Sequence, residues 1–209
     1  MNKPMMDRPD HFRMSRKVLI WTVIIAALLP LVFFEDGPIR SILKDLRVPV
    51  LFKPMHILTW IGNGRILMAV ALILFGIGWW WSEKKLKQAG MLGLIALAVS
   101  GMAVQTIKHL VGRPRPKLAD QGVFKWGPSF ERGHDSFPSG HTISAFAMAA
   151  VLSYFYPSGR WIWYSLAILV AFTRIYIDAH FASDVFGAAV LGVLIGIWAS
   201  KLKLEYLKS

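Results

Sequence analysis

Residues 89–108 read AGMLGLIALAVSGMAVQTIK, twenty positions without a charge until the final lysine. At 1.5 Å per residue, an uncharged helix of that length matches the hydrocarbon core of a bilayer, about 30 Å thick. The stretch therefore predicts a membrane-crossing helix that ends in a cation, Lys108. Working outward, similar apolar blocks occupy residues 18–34, 66–81, 141–156, 161–177 and 181–200. The expected fold is all-α: a polytopic membrane protein with six transmembrane helices. Composition agrees, since 55% of the chain is hydrophobic and the mean hydropathy is +0.48, above the roughly 45–50% apolar content of a soluble domain.

Between the first two blocks, Arg40, Lys44, Asp45 and Arg47 alternate with Ile39, Ile42, Leu43 and Leu46. That spacing suits a helix near residues 38–47 lying in the membrane interface, with the segment 35–65 as a whole capping the bundle. Trp79, Trp80 and Trp81 close the second block, where indole rings favour the headgroup level. The expected organisation is a basic cytoplasmic leader (1–17), one membrane domain (18–200) and a basic cytoplasmic tail (201–209). The leader reads as the flank of a retained anchor, because bulky Leu31, Val32, Phe33 and Phe34 follow the core of the first block where a cleavage site would need small residues.

The net charge of +12 would suggest nucleic acid in a soluble protein. Here the lysines and arginines stand between or at the ends of apolar blocks, so no nucleic acid partner is expected and the bilayer is the partner. No cysteine occurs, which excludes disulfides and thiolate metal sites. Lysines and arginines divide evenly between the two sides of a six-span thread. The cluster Arg8, Arg13, Arg16 and Lys17 before the first span breaks the tie toward cytoplasmic termini, with the long loop 109–140 outside.

Threading the chain in this way brings Lys108, His141, Arg174, His180 and Asp184 to one face. Each ionisable group at a membrane level costs about 2.5–3.5 kcal/mol on insertion scales, so their convergence marks a site, whereas a lone Lys108 or Arg174 would read as a snorkelling cation. His180 and Asp184 stand i, i+4, on one helix face, where a carboxylate holds an imidazole in one tautomer. Lys108, Arg115 and Arg174 need no local acid and suit a tetrahedral dianion. Phe137-Pro138-Ser139-Gly140-His141 reads as a helix start whose free amides bind an anion. His109 and the pair His134-Asp135 are weaker candidates, and His56 reads as structural. The loop aromatics Phe124, Trp126, Phe130 and Phe137 read as interfacial anchors.

In these residues the chain resembles the type 2 phosphatidic acid phosphatase family, in all three signature motifs. Six residues separate Lys108 from Arg115-Pro116; Pro138-Ser139-Gly140-His141 follows; then five residues separate Arg174 from His180, and three more lead to Asp184. Thr173 stands where the family's third motif usually opens with serine. Arg113-Pro114 lies too close to Lys108 for the motif, so Arg115 is assigned to phosphate and Arg113 to a loop or headgroup contact.

The resemblance implies that His180 attacks phosphorus while Asp184 orients its ring. His141 would protonate the leaving oxygen, and Lys108, Arg115, Arg174 and the amides near Ser139 and Gly140 would hold the phosphate. It implies no cofactor and no metal. Family substrates are undecaprenyl diphosphate, phosphatidylglycerophosphate, phosphatidic acid and the 1-phosphate of lipid A. The implied location is a bacterial inner membrane with the site on the periplasmic face. Two other classes fit part of the pattern: a lipid phosphotransferase, and a non-catalytic lipid-binding protein, which has no need of both histidines and Asp184.

Overall fold

The computed structural model describes residues 16–123 and 126–202. Most of the basic leader, Phe124 and the tail beyond Leu202 lie outside the described residues. Nine α-helices and two 3-10 turns make up the described chain, and no strand occurs among these residues. The helices are α1 (Arg16–Phe34), α2 (Asp36–Asp45), α3 (Pro49–Leu58), α4 (Gly64–Trp80), α5 (Lys84–Val111), α6 (Pro116–Ala119), α7 (Gly140–Phe155), α8 (Arg160–Tyr176) and α9 (Ala182–Ser200). Each of the six apolar blocks falls on one helix: α1, α4, α5, α7, α8 or α9. By length and apolarity, the segment Lys84–Ala119 and α9 are able to cross a membrane. A third crossing arises if α3, its 3-10 turn and α4 form one span bent by 49°.

The helix anticipated near residues 38–47 is α2, and α3 with its 3-10 turn (Thr59–Gly62) fills the rest of the segment 35–65 between the first two apolar blocks. The break between α3 and α4 falls at Asn63, whose extended backbone ends the 3-10 turn and whose Oδ1 accepts from the amide of Arg65, capping α4.

Helix α7 is the centre of the bundle, with α5, α8 and α9 around it. Its closest neighbour is α9, and small residues make that contact possible. A Cβ on Gly192 would sit 2.5 Å from the carbonyl oxygen of Ile143, and one on Gly196 would sit 2.5 Å from that of Ala147. The two backbones therefore touch, as in other pairs of membrane helices with small residues four apart. Ala147, Ala188 and Ala199 are fully buried beside this seam. The seam fixes the register of α7 against α9 and sets their N-termini side by side: the amide of Ser139 donates to the carbonyl of Asp184 at 3.2 Å.

Outward faces are apolar. Leu72, Ile73, Ile162 and Ile168 are exposed along the helices, and Trp79, Trp80 and Trp81 are exposed at one end; such a surface is satisfied by lipid. Helix α2 lies over the opposite end. Arg40 donates from Nε and a terminal nitrogen to Asp178 at 2.7 Å and also holds Asp120, and Arg47 reaches Asp178 at 3.2 Å. These ties fasten α2 to the turn between α8 and α9. In that turn Asp178 adopts φ +60, a left-handed conformation that aspartate tolerates better than most residues. It folds the chain back so that the amides of Ala179 and His180 both donate to the carbonyl of Arg174.

Candidate active site

His180 sits in this turn, two residues before α9, so it does not share a helix face with Asp184 as the i, i+4 spacing suggested. His180 is 3% exposed, and its Nδ1 is 2.7 Å from the carbonyl oxygen of Ser136. A carbonyl only accepts, so Nδ1 carries the proton and Nε2 presents its lone pair. Burial pushes the His180 imidazole down to about 4, against the pull of Asp184. The ring is neutral at neutral pH, the state a nucleophile needs.

Asp184 acts on this ring differently from the sequence expectation. Its Oδ2 lies 3.7 Å from His180 Nδ1, too far for a hydrogen bond. The same oxygen accepts from Ser136 Oγ at 2.5 Å and from the amide of Phe181 at 2.9 Å. Asp184 therefore holds the two segments that hold the ring: Ser136, whose carbonyl orients Nδ1, and the start of α9.

The phosphate-binding candidates also converge. Lys108, at the last turn of α5, and Arg115, just before α6, meet at Asp135: Arg115 makes a two-pronged pair at 2.8 Å for each bond, and Lys108 Nζ is 3.5 Å away. The expectation that these cations lack a local acid is thus corrected for two of the three. Burial alone would push the Asp135 carboxyl up; the Arg115 guanidinium overrides it and holds the group below the usual carboxylate range. Arg174 differs. It is 8% exposed, donates to Thr59 Oγ1 at 2.8 Å, and its Nε finds no acceptor among the described residues. A buried guanidinium nitrogen with no protein acceptor is suited to hold an anion.

Ser139 is the N-cap of α7, but its hydroxyl caps nothing and instead accepts from Thr142 Oγ1 at 3.0 Å. With the Ser139 amide given to Asp184, the donors open to an anion are those of the first helical turn, from Gly140 onward. His141 stands in that turn, within electrostatic reach of Arg174, His180, Lys108 and Arg115. It also lines a groove of about 350 Å³ between α4, α5 and α7, together with Asn63, Arg65, Met68, Gly101 and Gln105. Leu97 and Val104 add apolar lining to it.

Comparison with known proteins adds the family. The model of the PAP2 superfamily matches residues 89–206, more than half the chain. The chain belongs to the PAP2 superfamily. Lipid A 1-phosphatase of Rhizobium johnstonii is 28% identical over 198 residues, covering 88% of this chain and 77% of that protein. Phosphatidylglycerophosphatase B of Bacillus subtilis is 27% identical over 171 residues, covering 77% and 79%. The crystal structure of a transmembrane PAP2 type phosphatidylglycerolphosphate phosphatase from Bacillus subtilis superposes with a TM-score of 0.65 at 25% identity, covering 87% of this chain and 90% of that one. All-helical architecture and these neighbours make this PAP2 protein an integral membrane phosphoric ester hydrolase.

The residue that sequence reasoning misplaced in this PAP2 protein is Arg113. It is no loop or headgroup contact: it is 5% exposed, and it donates to Asp184 Oδ1 and Ser183 Oγ from one nitrogen and to Asp36 Oδ2 from the other, at 2.6–2.7 Å. Phe33, Trp126 and Phe181 enclose its guanidinium at 4.2–5.0 Å. Phe33 and Trp126 thus serve as walls of a buried ion pair. Asp36 completes the network by accepting from the amide and hydroxyl of Ser183. The only signal in the sequence was the repeated Arg-Pro of Arg113-Pro114-Arg115-Pro116. The weaker histidines fall outside this geometry: His109 bonds the Ser129 carbonyl and stacks on Phe130, His134 faces Glu131 at 3.6 Å, and His56 is exposed on α3.

Proposed function

We propose that this protein hydrolyses a lipid phosphate monoester or diphosphate through a phosphohistidine on His180. The observation that carries the reading is a buried histidine with its Nε2 lone pair free, set among Lys108, Arg115 and the unsatisfied Arg174 at the end of an apolar bundle. In the first half-reaction Nε2 bonds to phosphorus as the bond to the lipid oxygen breaks, and His141 gives that oxygen a proton. In the second, His141 takes a proton from water, the hydroxide attacks phosphorus, and the nitrogen–phosphorus bond breaks to release phosphate. The cations and first-turn amides of α7 stabilise the equatorial oxygens throughout. Because His141 faces the groove between α4 and α5, the lipid part of the substrate belongs there, with its chains continuing into the bilayer.

The test of substrate is turnover by purified protein of phosphatidylglycerophosphate, undecaprenyl diphosphate, phosphatidic acid and lipid A, each in detergent with excess chelator. Hydrolysis of at least one at full rate under chelation is expected, with inhibition by vanadate, which adopts the five-coordinate geometry of the transition state. Activity lost on chelation and restored by magnesium would overturn the reading in which protein cations alone serve the phosphate.

The same proposal has α1, α4, α5, α7, α8 and α9 crossing a bacterial inner membrane with the site on the periplasmic face, supported by the basic leader. Single cysteines at Gln121, near the site, and Glu83, in the α4–α5 turn at the far end, are exposed positions in a cysteine-free chain. A membrane-impermeant thiol reagent on intact spheroplasts should label Gln121→Cys and spare Glu83→Cys. The opposite pattern inverts the topology.

A further inference from the structure

We infer that Asp135 is a resident anion of the phosphate cradle, which occupies Lys108 and Arg115 between turnovers and competes with product phosphate for them. The inference rests on the assignment of these two cations to substrate phosphate. Its basis is geometric: the two Asp135 oxygens take the same two-pronged position on Arg115 that two phosphate oxygens would take, with Lys108 beside them. The Asp135 backbone is fixed between neighbours that cannot move freely. The amide of Ser136 is bound to the Arg113 carbonyl at 3.0 Å, and the amide of Arg115 is bound to the Gly133 carbonyl at 2.8 Å. The side chain itself is 36% exposed, so rotation about its own bonds carries the carboxylate off the cations and into water without disturbing the loop.

The physical consequence is specific. A tethered competitor present at high effective concentration weakens the binding of every phosphate by one common factor. A lipid substrate concentrated in the bilayer tolerates that loss, because extra ground-state affinity adds nothing once the site is filled. Orthophosphate, the product left on three cations in a partly buried site, is the species that benefits from being pushed out, and product release limits many such enzymes. In the empty state the carboxylate also spares Lys108 and Arg115 from standing unpaired.

The test uses the full-length protein in detergent and reads the inhibition constant of inorganic phosphate and the KM of the lipid substrate in wild type and in Asp135→Asn. Both constants are expected to fall together, by roughly threefold to tenfold given a partly exposed two-pronged pair, while kcat falls or holds. Asp135→Glu, which keeps a charge within reach, should stay within about twofold of wild type. Asp135→Ser supplies the same measurement should the amide variant fail to fold, as judged by thermal unfolding. An unchanged or raised phosphate constant in the neutral variant overturns the inference and makes Asp135 an orienter of Arg115. Arg115→Ala run in parallel separates the two levels: it should weaken phosphate, and if it does not, the cradle assignment itself has failed.

Discussion

His180→Ala is expected to lower turnover by at least about 10³-fold, with helix content and unfolding temperature close to wild type. The ring's only described hydrogen bond is to the Ser136 carbonyl, and the loop is held without it by the bonds of Asp184 to Ser136 Oγ and to the amide of Phe181. The scaffold therefore survives while the nucleophile is gone, and water cannot replace a nitrogen already aligned with phosphorus. The covalent route has a second readout. Wild-type protein denatured during turnover of a labelled lipid phosphate should carry a phosphate that acid removes and alkali leaves, and His180→Ala should carry none. Retention of more than about a tenth of the wild-type rate, or equal labelling of the variant, would remove His180 from the nucleophile role.

Arg113→Ala should cost about 3–5 kcal/mol of stability, the range for breaking a buried ion pair by removing one partner. The truncation leaves Asp36 and Asp184, both buried, with charges that one guanidinium had joined. It also empties a space enclosed by three aromatic rings. Arg113→Lys should recover only part, because an ammonium cannot present two separated donors to carboxylates on opposite sides. Thermal unfolding in detergent measures the loss. A double-mutant cycle with Asp36→Ala should show the two substitutions costing less together than their sum. A loop or headgroup contact, the reading the sequence favoured, would instead shift stability by about 0.5 kcal/mol or less. A shift that small would dissolve the buried network and, with it, the idea that α2 is tied to the candidate nucleophile's loop.

His180, His141, Lys108, Arg115 and Arg174 were readable because a charge or an imidazole at the end of an apolar block is costly and rare, and because parity of the blocks brings those ends to one face. Spacing within a motif is local information. Six apolar blocks likewise mark six helices, since the length of an uncharged run is a property of the chain alone. The number of those helices that cross a bilayer is a different quantity, and α7 and α8, with 16 and 17 residues, show why run length is a weak guide to it.

What only the tertiary structure decided is which polar groups pair. Asp36 and Ser183 are separated by 147 positions, and Arg113 and Asp184 by 71; no periodicity connects them. The i, i+4 spacing of His180 and Asp184 suggested a direct bond, but the left-handed turn at Asp178 placed His180 before α9 and gave its ring to the Ser136 carbonyl. The three cations looked alike in sequence, yet Asp135 satisfies two and leaves Arg174 unmatched. Apolar patterning and the cost of charge in lipid are written residue by residue, so the sequence alone established a helical membrane protein with its polar groups gathered at one end. Hydrogen-bond partners depend on helix register and on how closely backbones approach, which the glycines of α9 set against α7, and that is a property of the folded packing.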